Sequence, residues 1–182
     1  DRGYLPHYES PPLLQFITFR LAASLPKNFI ESLDAKLRDR KITEVEYFRS
    51  VEKALDLGHG PTYLKDPGIA RLVAEAIVHF AGERYELVAW VIMGNHVHLL
   101  LQPIHPHTLS DIIHSIKSFT ASRANRMLGR KGRFWAPEYY DRFIRDRKHF
   151  VRVKRYIDEN PVKAGLCALP DEWPWGSAGW RG

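Results

Sequence analysis

The stretch AWVIMGNHVHLLLQP, residues 89–103, decides how the middle of this chain folds. Two apolar runs are joined by only Gly94 and Asn95, and a two-residue loop that begins with Gly is typical of a tight β-hairpin. Residues two apart on a strand point to the same face, so His96 and His98 project together, away from the apolar residues that alternate with them. The sequence therefore predicts an antiparallel hairpin with two imidazoles on one face.

The two histidines have two possible roles. Imidazoles buried in an apolar strand can be hydrogen-bonded core residues, because a buried polar group needs a partner. Neutral imidazole is also a common metal ligand, and two of them on one strand face can reach the same divalent ion. The spacing of His96 and His98 by itself leaves both interpretations open.

Strands and helices alternate around this hairpin. In chain order, the apolar patterns predict a strand over 13–22, one or two helices over 27–58, a helix over 69–82 with Pro67 in its first turn, the hairpin, a helix over 108–128, an aromatic strand over 134–144 and a helix over 149–160. Asn160-Pro161 is expected to stop the last helix. This order predicts an α+β fold, an antiparallel sheet with helices packed on one of its faces.

Length and composition limit the class of protein. A chain of 182 residues, 45% of them hydrophobic, is expected to form a single globular domain over 1–182. No apolar run approaches the roughly 18 to 20 residues that cross a bilayer, and the first residues lack the pattern of a secretory signal. The lone Cys167 excludes an internal disulfide framework. We therefore expect a cytoplasmic protein without a membrane partner.

Positive charge is concentrated in the second part of the chain. Residues 1–102 carry 12 Lys and Arg against 13 Asp and Glu, hence about −1, whereas residues 103–182 carry 15 against 8, hence about +7. A solvated basic surface explains such a balance, and so does a binding surface for a polyanion.

The last predicted helix carries a tyrosine and an amide on one face. Tyr156 and Asn160 are four residues apart, which makes them neighbours on a helix. A phenol, whose pKa is about 10, is a poor nucleophile unless a cation or a base activates it. A carboxamide oxygen can ligate a hard cation such as Mg²⁺. A core tyrosine and a helix C-cap are the alternative interpretation.

Six motifs along the chain resemble those of a known family. GNHVHLLLQP resembles the HUH motif (His, bulky hydrophobe, His) of single-strand DNA endonucleases, and YIDENPVKAG resembles the tyrosine-bearing helix that completes their active site. Together with RGYLPHYE, KSFTASRANRML, FWAPEYYDRFIRD and DEWPWGSA, they make nearly the whole chain similar to the REP-associated tyrosine transposases. These are relatives of the single-tyrosine transposases of small insertion sequences.

The resemblance implies a ferredoxin-like HUH endonuclease fold and metal-dependent nicking and rejoining of single-stranded hairpin DNA such as REP elements. It implies that His96, His98 and Asn160 hold Mg²⁺ or Mn²⁺, and that Tyr156 attacks the scissile phosphate to form a 5′-phosphotyrosine link. Asn160 stands where relatives in insertion sequences often carry Gln, and Gly94 stands where many relatives have Pro.

A rival nucleophile lies in the aromatic segment. Tyr139 and Tyr140 are close in sequence to several basic residues. Consecutive tyrosines in an aromatic strand are readily explained by packing, whereas Tyr156, four residues before an amide, matches the family motif. Tyr156 is therefore the predicted nucleophile, with Tyr139 as the runner-up.

Ten basic residues of the second part of the chain are predicted to contact DNA phosphates. They are Lys117, Arg123, Arg126, Arg130, Lys131, Arg133, Arg142, Arg145, Arg152 and Arg155. Four aromatic residues lie between these basic residues in the sequence, and they either stack on unpaired bases or form a packed edge of the core. They are Phe134, Trp135, Tyr139 and Tyr140.

Three functions are compatible with these patterns. The first is a transposase or nickase, an enzyme associated with the nucleoid that acts on single-stranded hairpin DNA as a monomer or a homodimer. The second is a non-catalytic module of the same fold that binds structured DNA, which retention of both histidines and Tyr156 disfavours. The third, a metal-dependent hydrolase of small phosphates, leaves the basic second part of the chain unexplained.

Overall fold

The computed structural model describes residues 13–182. Its elements, in chain order, are β1 (Gln15–Arg20), α1 (Lys27–Arg38), α2 (Glu44–Asp56), α3 (Pro67–Val78), β2 (Tyr85–Ile92), β3 (His96–Pro103), α4 (Leu109–Met127), β4 (Tyr140–Phe143) and α5 (Arg147–Lys163), with 3₁₀ turns at Tyr63–Lys65 and Pro170–Glu172. The RGYLPHYE motif lies outside the described residues.

The four strands form one antiparallel sheet in the order β2-β3-β1-β4. Helices connect β1 to β2 and β3 to β4, which is the ferredoxin-like arrangement. The predicted α+β fold is therefore confirmed. The central strands β1 and β3 carry the histidine pair and its nearest neighbours.

The predicted hairpin joins β2 to β3. Ile92 pairs with Val97, and the Met93 backbone N–H donates to the His96 carbonyl at 2.9 Å. The φ angle of Gly94 lies outside the left-handed region, and a Cβ there would meet the side chain of Lys65 at 3.1 Å. A left-handed turn therefore does not account for this glycine, and a larger side chain there would require the flexible Lys65 side chain to shift slightly.

Helices cover both faces of the sheet, so the prediction that they pack on one face was wrong. Ile17 and Leu99 face α3 and α4, whereas Phe16 and Leu100 face α5. The reason is visible in β1 and β3, where consecutive residues are apolar and both faces must be covered. Alternate residues of a strand point to the same face, so His96 and His98 lie on the α5 side together with Leu100.

The aromatic strand predicted over 134–144 is shorter than expected. Only Tyr140–Phe143 pairs with β1, and Trp135 makes an isolated bridge to Leu21. Pro137 lies between these two pairings and has no backbone N–H to donate to a ladder.

The last helix extends beyond its predicted end. It includes Pro161 and continues to Lys163, because the Asn160 carbonyl still accepts a hydrogen bond from the Ala164 N–H at 3.0 Å. Proline removes its own donor but not the acceptors before it. The helix ends where Gly165 adopts a φ of 72°.

Residues after α5 run along the edge strand β2. The Ile92 N–H donates to the Trp175 carbonyl at 2.7 Å, and the Ser177 N–H donates to the Trp90 carbonyl at 2.8 Å. Backbone groups that an edge strand would leave unpaired are thereby satisfied. Among the helices of residues 13–182, none is both long and apolar enough to span a bilayer.

Candidate active site

Helix α5 carries Tyr156 to the histidine pair. Ile157 is fully buried against the sheet in a cluster with Phe16 and Leu100. This packing sets the adjacent Tyr156 ring 5.3 Å from the His98 ring, centroid to centroid. The His98 ring in turn lies 4.7 Å from that of His96.

A cavity of about 260 Å³ opens beside these rings. His96, Tyr156 and Asn160 line it, together with Asp56 of α2. Asn160 is 5% exposed, one turn further along α5 than Tyr156. The structure thus brings the four residues predicted from the two motifs into one place, although the motifs are about sixty residues apart in the sequence.

Each histidine is oriented by a polar neighbour. The side-chain N–H groups of Asn95 donate to the carbonyls of Leu55 and His59, so its Oδ1 is free to accept from the His96 Nδ1–H at 2.7 Å. This arrangement leaves the lone pair of His96 on Nε2. The His98 Nδ1 bonds to the Thr18 hydroxyl at 2.8 Å across the β1–β3 pair.

Burial keeps both imidazoles neutral. It lowers the pKa of His96 to about 3. Burial, assisted by the neighbouring His96 and Arg142, also holds the pKa of His98 well below its ordinary value. Neutral rings are the form in which histidine binds a metal.

The donor atoms around the cavity suit a divalent cation. The Nε2 atoms of His96 and His98 are buried, and neither has a hydrogen-bond partner within residues 13–182. No three His, Cys, Asp or Glu side chains are grouped suitably for a metal in that part of the chain, so the two histidines lack a third partner of these types there. The carboxamide of Asn160 is a donor of another type. The Asp56 carboxylate lies 4.0 Å from His96 Nε2 and adds negative charge at the rim.

Tyr156 is held as a neutral phenol. Burial raises its pKa, and the carboxylates of Glu52 and Asp56 raise it further. The Asn160 amide and the Arg142 guanidinium act in the opposite direction. Cationic charge near the hydroxyl therefore favours the ionised, nucleophilic form.

The runner-up tyrosine lies elsewhere. Tyr139 is 2% exposed and packs in the cluster formed with α3 and α4, on the face of the sheet opposite to His98. Tyr140 is on the histidine side, because it pairs directly with Thr18, but it is packed among aromatic residues of α2. The geometry favours Tyr156 over both.

The predicted DNA contacts of α5 lie beside Tyr156. Arg152 and Arg155 line an open groove with Tyr156, to which Arg147 and Lys148 add two exposed cations. Arg155 is paired within the helix, with its Nε 2.7 Å from a Glu159 carboxylate oxygen.

The predicted contacts of α4 and the following loop have mixed environments. The Lys117 ammonium donates to the backbone carbonyls of residues 136–138 at 2.7 to 3.4 Å, and so supports that segment. Arg123 lies 3.7 Å from the Phe119 ring centroid, and Arg130 lies 4.9 Å from that of Tyr63. The side chains of Arg126, Lys131 and Arg133 are exposed.

The aromatic residues considered for base stacking are core residues. Phe134, Trp135, Tyr139 and Tyr140 are all between 2% and 4% exposed. Packing, the second of the two interpretations offered for them, is the one that fits the structure. Trp135 packs against Phe19 of β1 and donates its indole N–H to the Thr120 hydroxyl of α4 at 2.9 Å, and Phe134 packs against the Trp135 ring.

Five polar residues near the site were missed from the sequence. Thr18 and Asn95 orient the histidines, and Arg49, Glu52 and Asp56 lie along one side of α2 that faces Tyr156. A signal for the last three was present, because their spacing of three and four residues forms a polar stripe on an otherwise amphipathic helix. No local pattern marks Thr18.

Comparison with known proteins was made on sequence and on fold. The model of the family described as "Transposase IS200 like" matches residues 64–160, just over half of the chain. That segment contains both histidines, Tyr156 and Asn160.

A curated protein of Haemophilus influenzae, named a REP-associated tyrosine transposase, is 31% identical over 103 residues. The match covers 51% of this chain, and the chain spans 58% of the length of that relative. A solved structure described as a REP-associated tyrosine transposase bound to a REP hairpin superposes with a TM-score of 0.62 at 19% identity, covering 96% of this chain and 82% of the other. At that identity the likeness concerns the fold. The family match and the shared fold agree with the resemblance drawn from the motifs, and this chain belongs to the IS200-like transposase family.

Proposed function

We propose that this protein is a metal-dependent single-stranded DNA endonuclease or transposase that nicks and rejoins hairpin DNA through a covalent 5′-phosphotyrosine intermediate. The observation that carries the proposal is that His96, Tyr156 and Asn160 line one cavity, with the His98 ring packed against the rings of His96 and Tyr156. Family membership adds support, because this family consists of DNA-processing transposases.

His96, His98 and Asn160 are the residues that would hold Mg²⁺ or Mn²⁺. Such an ion supplies charge that polarises a scissile phosphate. Thr18 and Asn95 orient the imidazoles, and burial keeps the imidazoles unprotonated. Asn160 also interacts with the Tyr156 hydroxyl and lowers the pKa of this phenol, so one side chain has two uses at the site.

Tyr156 is the proposed nucleophile. Its phenolic oxygen would bond to the phosphorus as the phenol loses its proton, and the bond from phosphorus to the 3′ oxygen would break. The strand would then carry a free 3′-OH, and the 5′ phosphate would remain on Tyr156. Attack of a 3′-OH on that link reverses the reaction and rejoins DNA.

The proposed substrate is hairpin DNA of the REP type. The curated relative is named after such elements, and the solved relative of the same fold is bound to a REP hairpin. Exposed cations along α5, beside Tyr156, suit the backbone of a single strand. We further propose that residues 1–182 act as one HUH transposase-like domain, in the cytoplasm at the nucleoid, as a monomer or a homodimer.

A trapping experiment tests the proposal. The protein is incubated with 5′- and 3′-labelled single-stranded hairpin DNA in Mg²⁺, Mn²⁺ or EDTA, and covalent adducts are separated on a denaturing gel. We expect a metal-dependent adduct that carries the DNA on the 3′ side of the nick. Tyr156→Phe should abolish this adduct, and Tyr139→Phe should retain it.

Two outcomes would contradict the proposal. An adduct that survives Tyr156→Phe and disappears in Tyr139→Phe would reject the assigned nucleophile. Tight hairpin binding without any nicking, in either metal, would favour the non-catalytic DNA-binding module. Circular dichroism of each variant ensures that loss of the adduct does not reflect loss of the fold.

A further inference from the structure

A second, smaller cavity of about 170 Å³ lies beside Tyr156, between α2, β4 and α5. Four arginines line it, and together they define what is called here the arginine pocket: Arg49, Arg142, Arg145 and Arg152. Among residues 13–182, Tyr156 alone lines both the arginine pocket and the cavity of about 260 Å³ beside His96, called here the histidine cavity. Arg49 comes from α2, in the first and less basic part of the chain, and was not predicted as a DNA contact.

Arg142 is the innermost of the four. Its side chain is 24% exposed and its guanidinium carbon lies 5.1 Å from the Phe16 ring centroid, under α5. Its Nε is buried and has no hydrogen-bond partner among the residues the structure describes. A partly buried cation with an unused, buried donor is stabilised when an anion comes to it.

The anion already present compensates this charge incompletely. Glu52 lies 3.9 Å from Arg142 Nη2, beyond the length of a direct hydrogen bond. Burial raises the pKa of Glu52 to about 7, so near neutral pH it is only partly ionised. His149, which also lines the pocket, has its pKa lowered by burial and is neutral there. Among the described residues that line the arginine pocket, Glu52 is thus the only carboxylate, against four guanidinium groups.

Guanidinium groups bind phosphate oxygens through two parallel N–H donors, which makes an arginine cluster a phosphate site rather than a general basic surface. Because Tyr156 is shared, a strand whose scissile phosphate lies at the Tyr156 hydroxyl continues directly into the arginine pocket. We propose that the pocket binds a non-scissile phosphate of the DNA backbone adjacent to the cleaved one, and thereby positions the cleaved phosphate at Tyr156. This inference rests on the proposed function, since it requires a DNA strand at Tyr156.

Single-position charge removal tests the proposal. A set of hairpin oligonucleotides is made in which one phosphate at a time is replaced by an uncharged methylphosphonate. Dissociation constants are measured by fluorescence anisotropy in Mg²⁺, with Tyr156→Phe as the background so that no oligonucleotide is cut. Arg142→Lys keeps the charge and removes the planar donor pair, and the exposed Arg145→Gln is a second variant that does not disturb the core.

We expect one or two adjacent methylphosphonate positions to weaken binding about tenfold, the scale of a lost charge-assisted hydrogen bond. Both arginine variants should bind the unmodified oligonucleotide more weakly and should lose most of the additional penalty at those positions. Arg71→Gln, an exposed arginine on α3, is the matched control and should keep the full penalty.

The outcomes separate this proposal from the one on which it rests. Nicking by the wild type, together with methylphosphonate penalties in the Tyr156→Phe background that are unchanged by adding Arg142→Lys or Arg145→Gln, would overturn the phosphate site alone. Absence of both binding and nicking in the wild type would overturn the proposed function, and the phosphate site with it.

Discussion

At the scale of single residues, the orientation of the histidine rings depends on groups that lie outside the His-x-His motif. The Thr18 hydroxyl of β1 bonds to His98. The Asn95 side chain donates to the Leu55 carbonyl of α2 and accepts from His96, so α2 helps to orient the His96 ring. Partners of this kind on the second ring nitrogen fix the tautomer and raise the basicity of a ligating imidazole. The chemistry of two residues thus depends on groups that no His-x-His motif includes.

Thr18→Val should weaken metal binding without removing a ligand. Valine has nearly the same shape but no hydroxyl, so the His98 Nδ1 loses its partner. We expect the affinity for Mn²⁺, measured by isothermal titration calorimetry, to fall about 10- to 100-fold.

Thr120→Val is the matched control for this change. Thr120 is also fully buried and hydrogen-bonded, but it accepts from Trp135 on the other side of the sheet. Its replacement should lower stability and leave Mn²⁺ affinity unchanged. Equal Mn²⁺ affinity in Thr18→Val and the wild type would reject the role given to Thr18.

Glu52→Gln should change how stability depends on pH. Burial raises the pKa of Glu52 from 4.5 to about 7, so the folded state favours the protonated carboxyl. The stabilisation from this group is complete below pH 4.5 and is lost as pH rises through about 7. Relative to Glu52→Gln, which stays neutral, the wild type should lose up to about 3 kcal/mol of unfolding free energy over this range.

The measurement is urea unfolding of both proteins between pH 4.5 and 8. Glu31→Gln replaces an exposed carboxylate of α1 and serves as the control, for which the difference from wild type should stay constant with pH. A constant difference for Glu52→Gln as well would show that its carboxyl is not desolvated in the folded protein.

At the scale of elements, α5 joins the proposed nucleophile, Tyr156, to the sheet. The side chains of Val153 and Ile157 are buried on Phe16 and Leu100, and this contact sets the height and rotation of the helix above the histidines. Once that rotation is set, the four-residue spacing places Tyr156 and Asn160 on the same side of the helix. The exposed side of the same helix carries the basic residues.

Ile157→Ala should destabilise the protein, whereas a truncation on the exposed side of α5 should not. Ile157 is fully buried, and a cavity of this kind lowers the unfolding free energy by about 2 to 5 kcal/mol. Val151→Ala, at a position 54% exposed on the same helix, should change it by less than about 0.5 kcal/mol. Urea denaturation measures both, and similar losses for the two variants would contradict the packing described for α5.

At the scale of the whole molecule, charge and chemistry come from different parts of the chain. The histidines lie in a first part that is nearly neutral, and Tyr156 lies in a second part with a net charge of about +7. Folding lays the basic helix α5 against strands of the neutral part. Tyr156 lines both the open groove along α5 and the cavity beside His96, so the basic surface and the histidines meet at this residue.

If DNA binds along α5 as proposed, the affinity should depend steeply on salt. Each phosphate neutralised on a single strand contributes about 0.7 to the slope of log affinity against log salt. Removing two exposed cations with Arg147→Gln and Lys148→Gln should lower the slope by about 1.4. Lys36→Gln with Lys41→Gln, on and beside α1, is the control of equal charge change, and an equal loss of slope there would indicate unspecific attraction.

Local geometry made much of the fold and of the site readable from the sequence alone. A two-residue loop between apolar runs determines the hairpin, strand alternation puts His96 and His98 on one face, and a four-residue helical spacing pairs Tyr156 with Asn160. These relations depend on backbone periodicity over a few residues, which holds wherever the element is placed. The order of elements was sufficient for an antiparallel sheet packed against helices, and its ferredoxin-like arrangement was expected only from the family resemblance.

Only the tertiary structure decided which groups meet. It put α5 on the histidine face and Tyr139 on the other, buried the aromatic residues considered for stacking, and added Thr18 and the polar stripe of α2 to the site. Each of these outcomes depends on contacts between residues distant in sequence, because burial, hydrogen bonding and electrostatic shifts arise from neighbours in space. For the same reason the neutral state of the histidines and the arginine pocket beside Tyr156 are properties of the folded chain and not of any motif in it.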